Sequence, residues 1–175
     1  MRSSLKHGLI IGFMIAIWLL LWFSIISWAN VKFHLELNAI KLRLISGLFS
    51  VLILVLGIYF GLRDAKKKGN NLITYKTAVL TGIKMSLIVA IIVSIFSLIY
   101  CTIINPGFRN FMVSEVERTM KASGASSYEI TDQIEKAKRE FSTPMQMMQS
   151  FIGQSVIGML ASLIIGIFIR TKNID

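Results

Sequence analysis

Apolar residues in this chain gather into four long runs, roughly Gly8 to Ala29, Leu42 to Leu62, Thr77 to Ile104 and Met148 to Ile169. A helix needs about 20 residues to cross the hydrocarbon core of a bilayer. Lipid offers no partner to backbone N–H and C=O groups, so such a run crosses as a helix with all its hydrogen bonds internal. The pattern predicts an all-α membrane protein whose four transmembrane helices form a bundle. One integral membrane domain then covers residues 1–175, with a polar outer loop over 105–147.

Within that loop the pattern changes to amphipathic helices. Asn105-Pro106-Gly107 ends the third run. From Phe108 to Lys121, Phe108, Phe111, Met112 and Val116 share one side, and Glu117 and Lys121 stand i, i+4 on the other. Ser123-Gly124-Ala125 breaks this helix, and Ser126 followed by Glu129 is a capping box that starts another. Ile130, Ile134, Ala137 and Phe141 continue the apolar stripe, opposite Asp132/Lys136 and Glu135/Arg139 pairs. The result is an amphipathic helical hairpin between the third and fourth spans. Thr143-Pro144 reads as the N-cap and first-turn proline of the fourth.

Each span also has a face of small residues. At 100° per residue, Ser46, Ser50, Gly57 and Gly61 fall within about 60°. Ser86, Ala90, Ser94, Ser97 and Cys101 of the third span, and Ser155, Gly158, Ser162 and Gly166 of the fourth, form similar stripes, and the first offers Gly8, Gly12 and Ala16. Helices in lipid associate through close backbone approach and modest hydroxyl hydrogen bonds, so these stripes are expected to pack the bundle. The alternative is that the same hydroxyls line a permeation path.

Charge sets orientation. Arg2 and Lys6, then Arg63, Lys66, Lys67, Lys68 and Lys76, then Arg170 and Lys172 fall on one side, whereas the first connection has only Lys32, Lys41 and Arg43. Basic residues beside spans stay in the cytoplasm and long loops cross regardless of charge, so both termini are expected inside and the hairpin outside. Trp28 and Tyr100 then lie near the outer interface and Tyr59 and Tyr75 near the inner one, while Trp18 and Trp22 sit too deep for such a belt. The first run is longer than a secretory signal core, which favours a retained span over a cleaved leader ending at Ser27-Trp28-Ala29.

Composition agrees with this picture. The chain is 54% hydrophobic and 16% charged, with a net charge of +10. Its basic residues lie beside apolar helices and not along one polar face, which points to anionic lipid headgroups and away from nucleic acid. Lys66, Lys67 and Lys68 are the expected contacts. Lys84 is the one clear ionisable residue inside a span, near enough to the surface to snorkel. With Arg63 and Asp64, which are expected to pair with other loops, it completes the candidate functional residues.

The search for chemistry finds little. His7 and His34 are expected on opposite sides of the membrane and have no Cys or carboxylate at ligand spacing, so no metal site is expected. No phosphate loop or nucleophile elbow is present, and Cys101 reads as a small packing residue. The chain is expected to be no enzyme and to carry no cofactor.

Several short motifs in order are characteristic: Arg63-Asp64 after the second span, Gly69-Asn70-Asn71 and Ile73-Thr74-Tyr75 before the third, Gly82-Ile83-Lys84 inside it, and Lys121-Ala122-Ser123-Gly124-Ala125-Ser126 in the outer loop. Together they resemble the domain-of-unknown-function family 4199. The resemblance implies a four-span protein of the cytoplasmic membrane of Bacteroidota, with the hairpin in the periplasm and no assigned activity. Two roles stay open: a non-enzymatic protein whose hairpin covers its own bundle, rests on the membrane or meets an envelope protein or a second copy, or a subunit of a small transporter or channel.

Overall fold

Each apolar run becomes one helix that outgrows the run at one end or both. In the computed structural model, which describes residues 2–33 and 39–171, these are α1 (Arg2–Phe33), α2 (Ala39–Lys68), α3 (Tyr75–Ile99) and α6 (Thr143–Ile169). The polar loop supplies α4 (Phe108–Ala122) and α5 (Ser127–Glu140), and no strand occurs among the described residues. His34 and Lys172 lie outside the described residues, as do the side chains of Arg2, Trp28, Lys32 and Lys41. All four long helices are apolar enough to cross a membrane.

The bundle is apolar on both sides, with leucine and isoleucine both inside and outside, so hydropathy does not separate the two. Phe13, Leu48, Phe60, Ile164 and Phe168 point outward and are more than half exposed. Inside, Ile11 and Ile15 of α1, Leu54, Ile58 and Leu62 of α2, Met85, Val89 and Val93 of α3, and Ala161 of α6 form one core. With no hydrophobic drive between helices in lipid, what selects the inner faces is how closely the backbones approach.

That approach is closest between α3 and α6. A Cβ on Gly82 would overlap the Ser162 side chain, and a Cβ on Gly158 would overlap Ser86. The two helices thus exchange the same contact, a serine of each resting on a glycine of the other. Each hydroxyl is satisfied within its own helix: Ser86 Oγ donates to the Gly82 carbonyl at 2.8 Å and Ser162 Oγ to that of Gly158 at 2.6 Å. The seam continues in both directions. Gly166 lies against Tyr75 and Val79, Ser94 Oγ donates to the Met147 carbonyl at 3.1 Å, and the Ser97 and Ser150 hydroxyls are 2.8 Å apart. Gly8 and Gly12 seat α1 on Ile88 and Ile92, and Gly57 and Gly61 of α2 meet Ile11 and Met85.

At the end where the chain enters and leaves, backbone and side chains are tied together. Lys66 Nζ donates to the Ile169 carbonyl at 2.8 Å, satisfying one of the carbonyls left open at the end of α6. Thr171 N donates to the Ile73 carbonyl at 3.0 Å, and Ile73 N donates back to Thr171 Oγ1 at 3.1 Å. Asn70 and Asn71 complete the preceding turn with φ of 55° and 63°, a region asparagine tolerates.

At the opposite end α3 closes in a π-helical turn over Tyr100–Ile104, and the hairpin follows. Phe108 and Met112 of α4 bury against Ala137 and Phe141 of α5, with Tyr100 and Cys101 beneath. The capping box forms as expected: Ser126 Oγ accepts from Glu129 N, and Glu129 Oε2 accepts from Ser126 N at 2.8 Å. Gly124, at φ 74°, supplies the left-handed residue between the helices. Phe111, placed with the apolar side by its spacing, is 43% exposed. The start of α6 also differs from expectation. Ser142 is the N-cap and Thr143 the first helical residue, because Pro144, which lacks an N–H, fits either of the first two positions; the Ser142 hydroxyl turns back to the Arg139 carbonyl at 2.6 Å.

Two outcomes are expected from this packing. Gly82→Ala should destabilise the bundle by about 1–3 kcal/mol through overpacking, and Ser162→Gly in the same chain should recover part of that loss, whereas Gly47→Ala, which meets nothing within 4 Å, should be neutral. Thermal unfolding in detergent reads the set, and additive effects of the paired substitutions would refute the contact. In the hairpin, the Ser126 hydroxyl first and the Ser126 N–H second hold the Glu129 carboxyl below its ordinary value. The cap's contribution is therefore present above the ordinary carboxylate pKa and is lost as pH falls through the lowered one. A side-chain carboxyl titration by NMR should show Glu129 rising toward its ordinary value in Ser126→Ala.

Candidate functional site

Arg43 is the residue around which a site is built. Counted from sequence as a charge of the first connection, it belongs instead to α2, which starts at Ala39, so Arg43 stands one turn inside the helix and is turned into the bundle. Its Nη2 donates to Gln146 Oε1 at 3.0 Å and to Gln149 Oε1 at 3.3 Å, both on α6. The guanidinium carbon sits 4.9 Å from the centre of the Phe141 ring, a cation–π contact with the end of the hairpin. Gln146 is itself held by the Glu140 carbonyl at 2.8 Å. These contacts orient the guanidinium without neutralising it.

Beside this group lies a partly open cavity of about 570 Å³, lined by α2, α3, α6 and Leu19 of α1 and covered by the hairpin. Small-molecule sites run from about 300 to 1,000 Å³. Its polar lining includes Arg43, Ser46, Ser50, Gln146, Gln149 and Gln154, while Val93, Phe96, Met112 and Ile157 contribute apolar wall. Gly47 and Gly153 explain the space: a Cβ on either would meet nothing within 4 Å, unlike the glycines of the seam. The gap lies between α2 and α6, since α3 and α6 stay joined at this level through Ser94–Met147 and Ser97–Ser150, and among the described residues no side chain fills it.

Several buried polar atoms in this region lack a protein partner: Arg43 Nη1, Ser46 Oγ and Gln154 Oε1. Ser46 is 1% exposed. Among the described residues no carboxylate forms an ion pair with Arg43, and Glu140, which also lines the cavity, is exposed. A buried charge or hydroxyl without a partner is costly. Arg43 is thus a cation with no ion-pair partner among the described residues, the Glu140 carboxylate acting on it only from longer range, beside a chamber able to receive an anion.

Of the residues singled out from sequence, the stripe residues Ser46, Ser50, Ser97 and Cys101 line the cavity, and the others fall elsewhere. Gly57, Gly61, Ser94, Gly158, Ser162 and Gly166 are all at helix contacts. Lys84 is exposed on the outer face of α3 and Arg63 at the end of α2. Asp64 meets Lys68 one turn further along its own helix at 2.6 Å and approaches His7 of α1 at 3.9 Å. Of the expected lipid contacts, Lys66 ties down the end of α6 and Lys68 pairs with Asp64, while Lys67 is exposed. Trp18 and Trp22, too deep for an interfacial belt, donate to the Ser46 and Leu42 carbonyls at 3.4 and 3.2 Å. No group of three or more His, Cys, Asp and Glu side chains able to hold a metal occurs among the described residues.

Sequence reasoning missed Arg43, although one signal was present. Stepping back from Ser46 and Ser50 along the small-residue stripe lands on position 43, within about 60° of both. The arginine therefore shares the inward face, which a helical wheel begun one turn earlier displays.

No curated protein and no solved structure matches the chain. A family model described as Protein of unknown function (DUF4199) matches residues 6–171, nearly its whole length. With four helices long and apolar enough to cross a membrane and the expected order of elements between them, the chain belongs to the DUF4199 family.

Proposed function

We propose that the chain is a non-enzymatic, multi-pass protein of the bacterial inner membrane that binds a small molecule in the cavity beneath its hairpin. Arg43 carries this reading. A charge held inside a membrane bundle with no ion-pair partner and one donor atom unsatisfied costs stability, and in a membrane protein such a residue marks a functional site. Both termini are cytoplasmic, in keeping with the basic residues at that end, and the hairpin is periplasmic, in a two-membrane cell such as those of the Bacteroidota.

In this reading the hairpin is a roof. Phe108, Met112 and Phe141 line the cavity, and burying them leaves only Phe111 and Tyr128 as large exposed apolar side chains on α4 and α5. That supports covering the bundle over recruiting a partner. The transporter or channel reading has weaker support, since a path through the bundle would have to part the seam at Gly82, Ser86, Gly158 and Ser162.

Two measurements test the proposal. Alkaline phosphatase inserted after Ala125 should be active and the same reporter after Thr171 inactive; the reverse pattern overturns the orientation. Native mass spectrometry of the detergent-purified chain should show a bound small molecule that is lost in Gly153→Leu, which extends a side chain into the cavity from a position where a Cβ meets nothing within 4 Å. A chain with no bound species, or one that keeps it in the filled variant, overturns the binding role.

A further inference from the structure

We infer that the occupant of the cavity is an anionic amphiphile with a single acyl chain, entering sideways from the bilayer, with its acidic headgroup on Arg43. The inference rests on the binding role proposed above and names the ligand class.

Charge decides the headgroup. Among the described residues Arg43 is the only basic residue of the lining and Glu140, itself exposed, the one carboxylate, and Arg43 Nη1 has no acceptor. A guanidinium donates charge-assisted bonds, the strong ones, to a carboxylate or phosphate, and Nη1 is the donor left for it. Nη2 is already anchored by Gln146 and Gln149, so the group is oriented before anything binds. The Ser46 hydroxyl, one turn further along α2 and also without a partner, adds a donor on the same side.

The walls decide the rest. Apart from its polar cluster the lining is aliphatic and aromatic, including Leu19, Leu44, Leu48, Val51 and Phe96, a surface that a small hydrated anion leaves unsatisfied. Leu44 and Leu48 are 67% and 70% exposed on the outside of the bundle, with Gly47 between them, yet all three line the cavity. The wall is therefore thinnest where α2 faces lipid. A chain lying over Gly47 has its tail among these leucines and its charged end at Arg43. A volume of about 570 Å³ suits one chain with its headgroup better than a whole two-chain lipid.

Trp18 and Trp22 report on the site, since Trp18 donates to the Ser46 carbonyl and packs on Phe49. The test uses the full chain in nanodiscs of zwitterionic phosphatidylcholine, titrated with a fatty acid brominated on its chain, a quencher of tryptophan. Saturable quenching is expected, weakened at least about tenfold in Arg43→Gln and abolished in Gly153→Leu. Both variants should elute as monodisperse helical protein. Should Arg43→Gln fail to fold, Gly47→Leu takes its place, because it narrows the lateral opening and leaves the arginine intact.

A brominated fatty alcohol of equal chain length should quench only weakly. Equal quenching by the alcohol would overturn the role of charge. Inorganic phosphate supplies the aqueous arm: if phosphate alone stabilises the chain to heat, in an Arg43-dependent way, and the fatty acid does not bind, the cavity stays a binding site and the amphiphile is wrong. If neither binds, the binding role falls as well.

Discussion

The α3–α6 seam is the contact on which the rest of the bundle depends. Bilayer helices gain little from burying leucine, which lipid solvates equally well, so stability must come from backbones brought close together. Gly82 and Gly158 allow that approach, and Ser162 and Ser86 fill it while returning their hydroxyls to their own helices. The device is symmetric between two antiparallel helices, so it fixes their sliding register as well as their distance. From that fixed pair, α1 is set by Gly8 and Gly12 and α2 by Gly57 and Gly61.

The chamber belongs to a different helix pair. Along the seam α3 and α6 stay joined through Ser94–Met147 and Ser97–Ser150, while Gly47 of α2 and Gly153 of α6 leave the space between those two helices unfilled. The same residue type thus has opposite effects in one bundle, closing space where the partner is near and leaving it open where the partner is far. Some polar side chains around the space bond with one another or with Arg43, as in the Ser97–Ser150 and Gln146–Arg43 contacts, while Ser46 Oγ and Gln154 Oε1 have no partner.

Much of this was legible in the sequence, for reasons that differ by element. The spans were readable because hydropathy sums over about 20 residues and local exceptions such as Lys84 are outvoted. The cap at Ser126 was readable because capping is local: the donor, the acceptor and the three-residue spacing are all in one short segment. Arg43 was not, because its neighbour Leu42 opens the apolar run and a charge at that edge looks like loop. Nor could any pattern show that Lys66 would meet Ile169, since that contact depends on which helix ends stack together. Packing glycines could be told as a class, but separating those that close a seam from those that open a chamber requires the distance between helices, which periodicity does not contain.

The π-helical turn at Tyr100–Ile104 carries one more consequence. Its wide hydrogen bond, from Asn105 N to the Tyr100 carbonyl at 2.7 Å, accommodates an additional residue at the junction between rod and hairpin. Adding or removing a single residue there would swing everything downstream through about 100°, carrying Phe108 and Met112 away from their seats. The tip around Gly124 turns in open space and passes no such rotation into the bundle. Length variation among homologous chains therefore has a natural outlet at the tip, whereas the junction acts as the phase lock of the molecule.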